Sequence, residues 1–167
     1  IVMNFVLTGN PGTGKTSVSR LMGELLQSMD ILPTKKVIET SRATMVGKYM
    51  GETPKLVNKL CDQALGGVLF IDEAYNICNG DDQYGKEAVD TLMKRMEDDR
   101  GKFVVIVAGY KDRMEMFLNT NPGLASRFTH RLHIDDYNED ELVSIFKKMA
   151  AKQDYELSQD AEFKLMG

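Results

Sequence analysis

The sequence has few of the residues that stabilise disulfide-rich or metal-binding proteins. It contains two cysteines, Cys61 and Cys78, and two histidines, His130 and His133, among 167 residues. Two cysteines are too few for a disulfide framework, and they lack the close spacing of a metal site. The histidines have no metal-ligand partners at usable spacing. We therefore expect reduced thiols, and we assign neither histidine a catalytic role.

Long apolar runs and an excess of positive charge are also missing. No apolar run approaches the ~20 residues needed to span a bilayer, and the residues from Ile1 onward do not resemble a secretory signal. With 21 basic and 25 acidic residues, the net charge is −4. No global basic field therefore attracts nucleic acid or an anionic membrane. We expect a cytoplasmic protein whose partners are neither membranes nor nucleic acid.

The segment 9–16 spells the phosphate-binding pattern G-x-x-x-x-G-K-[ST] in full. An apolar run precedes it and a helix-patterned segment, 17–28, follows, which is the strand, loop and helix context that the pattern requires. Glycines allow backbone N–H groups to surround a β-phosphate, and the helix directs its positive dipole end at the same oxygens. The predicted nucleotide-binding residues are Asn10, Pro11, Gly12, Thr13, Gly14, Lys15, Thr16 and Ser17.

Two side chains of this segment have separate predicted tasks. Lys15 adds a point charge between the β- and γ-phosphates, and we count it among the catalytic residues. Thr16 is expected to place its hydroxyl on a Mg²⁺ ion that bridges those phosphates. The segment thus predicts a nucleotide bound together with Mg²⁺.

Apolar runs typical of strands alternate with amphipathic runs typical of helices. The fully apolar runs 68–71 and 103–108 indicate strands that are buried on both faces of a parallel sheet. Upstream of them, the sequence predicts a loop over 44–53 and a helix from Pro54 to about Leu65. The predicted fold class is α/β, with a mostly parallel sheet, helices on both faces, and ligands at the carboxyl ends of the strands.

A second chemical centre lies where the apolar run 68–71 ends, at Asp72 and Glu73. Asp72 can hold Mg²⁺ through water, whereas Glu73 points elsewhere and can polarise the water that attacks the γ-phosphate. An isolated pair of acids more often only ends a strand. Because this pair follows a complete phosphate loop, we assign Asp72 to the metal and Glu73 to hydrolysis.

Several motifs together carry a resemblance to a known family. The order GNPGTGKT, VLFIDEA and NPGLASRF resembles the AAA+ ATPases. Segments 46–53, 66–75 and 108–114 are similar to the branch that contains the red-type rubisco activase CbbX, stage V sporulation protein K and the ATPases of type VII secretion. The resemblance covers nearly the whole chain.

The resemblance implies a P-loop NTPase (AAA+) fold and a ring-forming, usually hexameric ATPase that hydrolyses ATP with Mg²⁺. It implies a nucleotide-binding domain over 1–136 and the start of a small helical lid over 137–167. In the lid, 138–151 predicts an amphipathic helix, and Ser158 is predicted to cap another. We expect the chain to be a piece of a longer protein, with an adenine-binding segment upstream and a lid arginine beyond Gly167.

Motif by motif, the resemblance also assigns residues that act between subunits. Arg127 matches the arginine finger offered to a neighbour's ATP, and Tyr49, with Met50 beside it, matches the aromatic of a central pore loop. The simpler alternatives are a structural cation for Arg127 and an ordinary surface aromatic for Tyr49. Arg131 competes for the finger role, although we predict that it enters the last strand, where its side chain is less free.

One expected family residue is not assigned. Many AAA+ proteins end the fourth strand with a polar sensor, but here Val107 and Ala108 lead to Gly109 and Tyr110. The predicted function is an ATP-dependent ATPase that remodels a protein client through pore loops. A nucleotide-dependent scaffold with slow turnover is an alternative, which the intact Glu73 argues against. The other alternative is a nucleic-acid motor of the same superfamily, which the excess of acidic over basic residues disfavours.

Overall fold

Five parallel strands form the centre of the protein in a computed structural model that describes residues 3–10, 14–78 and 81–166, the last of these (153–166) as backbone only. The strands are β1 (Phe5–Thr8), β2 (Val37–Thr40), β3 (Val68–Asp72), β4 (Val104–Gly109) and β5 (His130–His133). They form one sheet in the order β2-β3-β4-β1-β5. The predicted mostly parallel α/β sheet is confirmed.

The helices connect successive strands and cover both faces of the sheet. The described helices are α1 (Lys15–Ser28), α2 (Arg42–Met45), α3 (Glu52–Ala64), α4 (Gln83–Asp98), α5 (Lys111–Asn119), α6 (Pro122–Arg127) and α7 (Glu139–Met166). Short 3₁₀ turns follow β3 and β5, at Ala74–Asn76 and Ile134–Asp136. Among these described helices, none combines the length and the apolar character needed to cross a bilayer.

Alternate side chains of the central strands enter one of two hydrophobic cores. Val6 and Val105 face the core that α3 to α6 cover. Phe5 and Ile106 face the core that α1 and α7 cover. Because both faces of the sheet are covered, its central strands carry no polar alternation, which explains the continuous apolar runs in the sequence.

The strand register aligns the carboxyl ends of β1 and β3, which are followed by the residues predicted to bind phosphate and metal. Thr8 at the end of β1 pairs with Gly109, and Asp72 at the end of β3 pairs with Ala108. Since β4 lies between β1 and β3 and neighbouring strands are 4.7–4.9 Å apart, the two ends are about 10 Å from each other. The segment after Thr8 and the acids at Asp72 therefore share the carboxyl edge of the sheet.

The predicted loop over 44–53 is only partly correct. α2 occupies its first residues, because the backbone N–H of Ser41 donates to Thr44 Oγ1 (3.4 Å) and closes the first turn. α3 begins at Glu52 rather than at Pro54. Proline fits inside the first turn because the first four N–H groups of a helix have no intrahelical acceptor. The remaining loop, 46–51, is shorter than predicted.

The prediction that Ser158 caps a separate helix is wrong. The backbone of α7 is continuously helical from Glu139 to Met166. A cap requires a break in the helix, and the sequence from Lys152 to Met166 contains neither proline nor glycine to impose one. The predicted helix over 138–151 is the first half of this longer element.

Candidate active site

The candidate phosphate site lies where β1 ends and α1 begins. Gly14, directly before the helix, has a φ of 84°, a left-handed conformation that favours glycine. A Cβ added to Gly14 would meet none of the described atoms within 4 Å, so the space beside the helix start is open. Of the predicted loop residues, Pro11, Gly12 and Thr13 lie outside the described residues.

The ammonium of Lys15 lies over the start of this loop. Its Nζ donates to the backbone oxygens of Gly9 (3.2 Å) and Asn10 (3.1 Å). The N–H of Asn10 in turn donates to Asp135 Oδ2 (3.1 Å), which ties the loop to the turn after β5. Thr16 is half-buried in the first turn of α1, and Ser17 beside it is exposed. The positive charge of Lys15 thus lies beside the helix N-terminus.

Asp72 and Glu73 have different hydrogen-bond partners. Asp72 Oδ1 accepts from the N–H of Glu73 (3.0 Å), and Glu73 Oε2 accepts from Asn76 Nδ2 (3.0 Å). Glu73 has φ 48° and ψ 50°. This left-handed conformation costs about 1–2 kcal/mol for a residue with a Cβ. Strain of this kind is concentrated at functional sites, and here it turns the chain sharply between the two carboxylates.

The donor set fits a phosphate chain and Mg²⁺. The first turn of α1 presents N–H groups without intrahelical acceptors, and Lys15 adds a full positive charge. Thr16 and Asp72 offer hard oxygen ligands, and Mg²⁺ usually takes few protein ligands because phosphates and water complete its shell. The described residues contain no group of three or more His, Cys, Asp or Glu that could hold a metal by itself.

Sequence reasoning assigned no residue to the end of β4, and the structure places two aromatic rings and a cation there. The ring centroid of Tyr110 lies 5.8 Å from Lys15 Nζ. The guanidinium carbon of Arg113 lies 5.4 Å from that ring and 5.2 Å from the ring of Tyr75. Burial raises the pKa of Tyr75, against the opposing effect of a hydrogen bond from Arg113, so this hydroxyl is neutral at pH 7. The motif over 108–114 was the signal for this cluster.

A mostly apolar cavity of about 290 Å³ lies between the β1 and β5 strand ends and α7. Thr8 and His133 form part of its wall and share a hydrogen bond of 2.8 Å between Oγ1 and Nδ1. Tyr137 and Ile145 close it from the side of α7. Because Gly9 follows Thr8 directly, the cavity adjoins the start of the phosphate loop.

The loop over 46–51 presents Tyr49 and Met50 to solvent. Their exposed fractions are 73% and 90%. The N–H of Gly47 donates to Thr53 Oγ1 (2.9 Å), which closes the loop at its base. A Cβ on Gly47 would lie 2.7 Å from the Cβ of Glu52, so only glycine permits this close approach. The fold therefore holds the two apolar side chains outward at a loop tip.

Arg127 lies near the amino ends of the strands, whereas the phosphate loop lies at their carboxyl ends. Asn4, directly before β1, donates from Nδ2 to the carbonyl oxygen of Arg127 (3.5 Å) and accepts from the N–H of Val105 (2.9 Å). At about 3.3 Å per residue, β1 carries the chain roughly 16 Å from Asn4 to Gly9. The position of Arg127 therefore separates it from the phosphate loop of the same chain.

The guanidinium of Arg127 is only partly satisfied by the described residues of the chain. Its Nη1 donates to the carbonyl oxygen of Gly123 (3.2 Å), and its Nη2 lies 4.0 Å from Glu97 Oε2. Its Nε is buried and has no hydrogen-bond partner among the described residues. Arg131 lies in β5, as predicted, but its side chain is exposed rather than confined. A cavity of about 320 Å³ that Arg100 and Ser126 also line adjoins Arg127.

The strand order and the helices on both faces, with a loop of sequence G-x-x-x-x-G-K-T between β1 and α1, define the class of P-loop NTPases. Comparison with known families agrees with this class. The chain belongs to the ATPase family associated with various cellular activities (AAA), which matches residues 5–136.

Individual relatives extend this likeness to nearly the whole chain. Stage V sporulation protein K of Bacillus subtilis is 46% identical over 98% of this chain and 51% of its own length. The chloroplastic ribulose bisphosphate carboxylase/oxygenase activase of Cyanidioschyzon merolae is 41% identical over 96% of this chain and 55% of its own length. The chain therefore spans about half the length of these curated relatives. The predicted resemblance is confirmed.

A solved structure supports the fold independently. The crystal structure of the FIGL-1 AAA domain in complex with ADP matches with a TM-score of 0.53 and 22% sequence identity. The match covers 78% of this chain and 42% of that chain. At this identity the likeness shows a common fold and no more.

Proposed function

We propose that this protein is a Mg²⁺-dependent ATPase that works as a ring oligomer and remodels a protein partner. The observation that carries the proposal is the shared carboxyl edge of the sheet. The loop that holds Lys15 follows β1 there, and Asp72 and Glu73 lie at the end of β3, with only β4 between the two strands. Phosphate-binding donors, oxygen ligands for a metal and a carboxylate for water are what hydrolysis of a phosphoanhydride requires.

In the proposed reaction, each group of the site has one task. Lys15 and the N–H groups of α1 bind the phosphates, while Thr16 and Asp72 hold Mg²⁺. The ion, when bound, neutralises charge on the phosphates. Glu73 orients the attacking water and accepts its proton. Binding and hydrolysis therefore depend on different side chains, which mutation can separate.

The cavity beside Thr8 and Tyr137 is the proposed site for the nucleotide base, and the choice of ATP rests on the ATPase family to which the chain belongs. A base is flat and largely apolar on its faces, and sites for such groups are concave and mostly apolar with a few polar groups. The cavity has this character and adjoins the phosphate loop. We assign 1–136 to the nucleotide-binding domain and 137–167 to the start of a lid whose helix α7 covers the base.

A protein client is supported by the kind of relatives that the chain has and by the loop over 46–51. One relative is named as an activase of ribulose bisphosphate carboxylase/oxygenase, which is itself a protein. An exposed tyrosine and methionine at a loop tip provide adhesive contacts for polypeptide. We propose a cytoplasmic hexamer in which these loops line the pore and pull on the client.

Replacing Lys15 with Ala is expected to weaken ATP binding by about 10- to 150-fold, the equivalent of 1.5–3 kcal/mol for a charged hydrogen bond. The backbone donors alone cannot replace the ammonium. Titration calorimetry on the full-length protein measures the effect. Lys35→Ala, which removes an exposed lysine at a distance from the loop, is the control. Unchanged affinity in Lys15→Ala would contradict the assigned phosphate site.

Replacing Tyr49 with Ala is expected to leave basal ATP hydrolysis within a few-fold of wild type and to abolish remodelling of the client. We expect the loop to act through the exposed ring of Tyr49 rather than on the phosphates. Clients for this assay are proteins retained by a hydrolysis-blocked variant of the same protein. Tyr49→Phe, which keeps the ring, is expected to retain most of the remodelling rate. If Tyr49→Ala remodels the client at the normal rate, Tyr49 is an ordinary surface aromatic without a role in remodelling.

A further inference from the structure

A carboxylate that the proposed reaction does not use contacts the start of the phosphate loop. Asp135 Oδ2 accepts from the N–H of Asn10 over 3.1 Å. The two residues are 125 positions apart in the sequence, so only the fold brings them together. Asn10 precedes Pro11, which has no N–H. The N–H of Asn10 is therefore the last backbone donor before Gly12.

Lys15 holds the opposite side of the same peptide group. The N–H of Asn10 and the carbonyl of Gly9 belong to one planar unit, and in a trans peptide they point in opposite directions. Lys15 Nζ donates to the Gly9 oxygen over 3.2 Å, while Asp135 accepts from the N–H. One peptide group is thus held between an ammonium and a carboxylate. Because hydrogen bonds in such a chain strengthen one another, the carboxylate helps to fix the ammonium that is proposed to bind phosphate.

The pairing of β1 with β5 determines where this carboxylate lies. Thr8, the last residue of β1, pairs with His133, the last residue of β5, and Thr8 Oγ1 shares a hydrogen bond of 2.8 Å with His133 Nδ1. The other ring nitrogen of His133 lies 3.7 Å from Asp135 Oδ2. Ile134, between these two residues, is buried in the core that α1 and α7 cover. The histidine ring and the buried isoleucine together hold the carboxylate beside the loop.

Asp135 also belongs to the turn that leads into the proposed lid. The 3₁₀ turn Ile134–Asp136 contains it, and α7 begins three residues after that turn, at Glu139. Tyr137, between the turn and the helix, lines the proposed base cavity. The hydrogen bond from Asn10 therefore joins the phosphate loop to the segment beside which the base is proposed to bind.

A negative charge beside a phosphate site has two opposite effects. It repels the phosphates of the ligand, which weakens binding, although water and salt screen this repulsion at an open site. Through the hydrogen bond to Asn10 it also orders the loop before the nucleotide arrives, which strengthens binding because less freedom is lost on association. The two effects predict opposite changes in affinity when Asp135 is removed, so a measured Kd decides between them.

We propose that Asp135 is a positioning residue of the phosphate site, which holds the peptide group between Gly9 and Asn10 so that Lys15 faces the nucleotide. The inference rests on the proposed function, since it requires that this loop binds the phosphates of ATP. Asp135 acts through the loop rather than on the phosphates. It therefore contributes to nucleotide affinity and leaves the chemical step unchanged.

The first test is the calorimetric Kd for ATP and for ADP in Asp135→Ala and Asp135→Asn, measured on the full-length, assembled protein. Asp135→Ala removes the acceptor, so we expect both Kd values to rise about fivefold to twentyfold, between the effects of a neutral and a charged hydrogen bond. At saturating ATP, kcat is expected to stay within about twofold of wild type. Asp135→Asn keeps an oxygen that accepts from Asn10, and its Kd is expected to stay within about threefold. A merely structural role would lower kcat and the melting temperature together and leave Kd unchanged.

Asp136→Ala is the matched control, because it removes the same charge from the next position of the same turn, where the residue is exposed. Its Kd for ATP is expected to stay within about twofold of wild type. If Asp135→Ala binds ATP as tightly as wild type or more tightly, Asp135 is only a repulsive charge and the inference is overturned. Equal losses in Asp135→Ala and Asp136→Ala, or in Asp135→Ala and Asp135→Asn, overturn it as well, because the hydrogen bond to Asn10 is then not the cause.

A double variant separates this inference from the proposed phosphate site. If Lys15→Ala binds ATP normally, the phosphate site itself is wrong, whatever Asp135 does. If Lys15→Ala binds weakly, adding Asp135→Ala is expected to raise Kd by less than about a further twofold, because the ammonium that Asp135 positions is gone. Residues of one hydrogen-bonded network are non-additive in this way. A further loss as large as that in Asp135→Ala alone would show that Asp135 does not act through Lys15, and the inference would fail while the phosphate site stands.

Discussion

Replacing Glu73 with Gln is expected to lower ATP turnover by about 10²–10⁴-fold, the usual contribution of a general base, while ATP still binds. The amide cannot accept a proton from the attacking water. It has the same length as the carboxylate and can still accept the hydrogen bond from Asn76. Asp72, the proposed metal ligand, is unchanged. The loss therefore falls on kcat rather than on the affinity for ATP.

Phosphate release and titration calorimetry on the assembled protein measure the two quantities separately. Glu24→Gln, which removes an exposed carboxylate from the middle of α1, is the matched control and is expected to behave as wild type. If Glu73→Gln hydrolyses ATP near the wild-type rate, another group orients the water and the proposed reaction fails at this residue. The same variant, stalled with ATP bound, is also the reagent for capturing a protein client.

The sequence alone predicted the strands whose side chains are buried on both faces of the sheet. β3 and β4 were predicted because both faces of each strand are covered, and no polar residue interrupts their apolar runs. α2 was missed because one turn of helix has no periodicity to detect, and a short-range bond between Ser41 and Thr44 stabilises it. The break at Ser158 was predicted from a residue that favours caps but is tolerated inside a helix.

Some residues of the candidate site could be predicted from the sequence and others could not. The phosphate loop and the pair at Asp72 and Glu73 have motifs because their chemistry requires fixed residue types at fixed spacing. Asn76 and Tyr110 acquire their neighbours only through the fold. The register of β4 against β1 brings Tyr110 to Lys15, and a left-handed turn brings Asn76 to Glu73. Arg42 reaches Asp82 across 40 positions of sequence, a distance over which periodicity carries no information.

The structure also bears on the two alternatives for Arg127. A cation with a purely structural task is expected to have its donors satisfied within the subunit, since an unsatisfied buried donor costs about 1–3 kcal/mol. Arg127 instead leaves its buried Nε without a partner among the described residues and approaches Glu97 only to 4.0 Å. It also lies at the amino edge of the sheet, away from Lys15. A buried Nε is closed to other chains, so the feature that is consistent with a partner outside the chain is the position of Arg127 at the amino ends of the strands, with 29% of its side chain exposed.

Replacing Arg127 with Ala is accordingly expected to lower ATP hydrolysis by about 10³–10⁵-fold, or about 4–7 kcal/mol, while ATP affinity stays nearly unchanged. A guanidinium near the transferring phosphoryl group stabilises charge that spreads in the transition state, and the bound ground state needs much less of it. In the wild-type protein, the rate per unit of protein is expected to fall on dilution, because each active site needs a neighbour. Arg131→Ala is the control, since Arg131 is the competing candidate.

Mixing Arg127→Ala with Lys15→Ala, at an ATP concentration too low to fill the Lys15→Ala loop, tests whether Arg127 acts on the adjacent subunit. Arg127→Ala retains an intact phosphate loop, and Lys15→Ala retains an intact finger. In mixed rings, some interfaces therefore place an intact Arg127 against an intact loop, and activity is expected to return at those interfaces alone. If mass measurement confirms mixed rings but no activity returns, Arg127 does not act in trans. If Arg127→Ala alone is fully active and Arg131→Ala is not, the finger is Arg131, whose side chain is exposed on the edge strand β5.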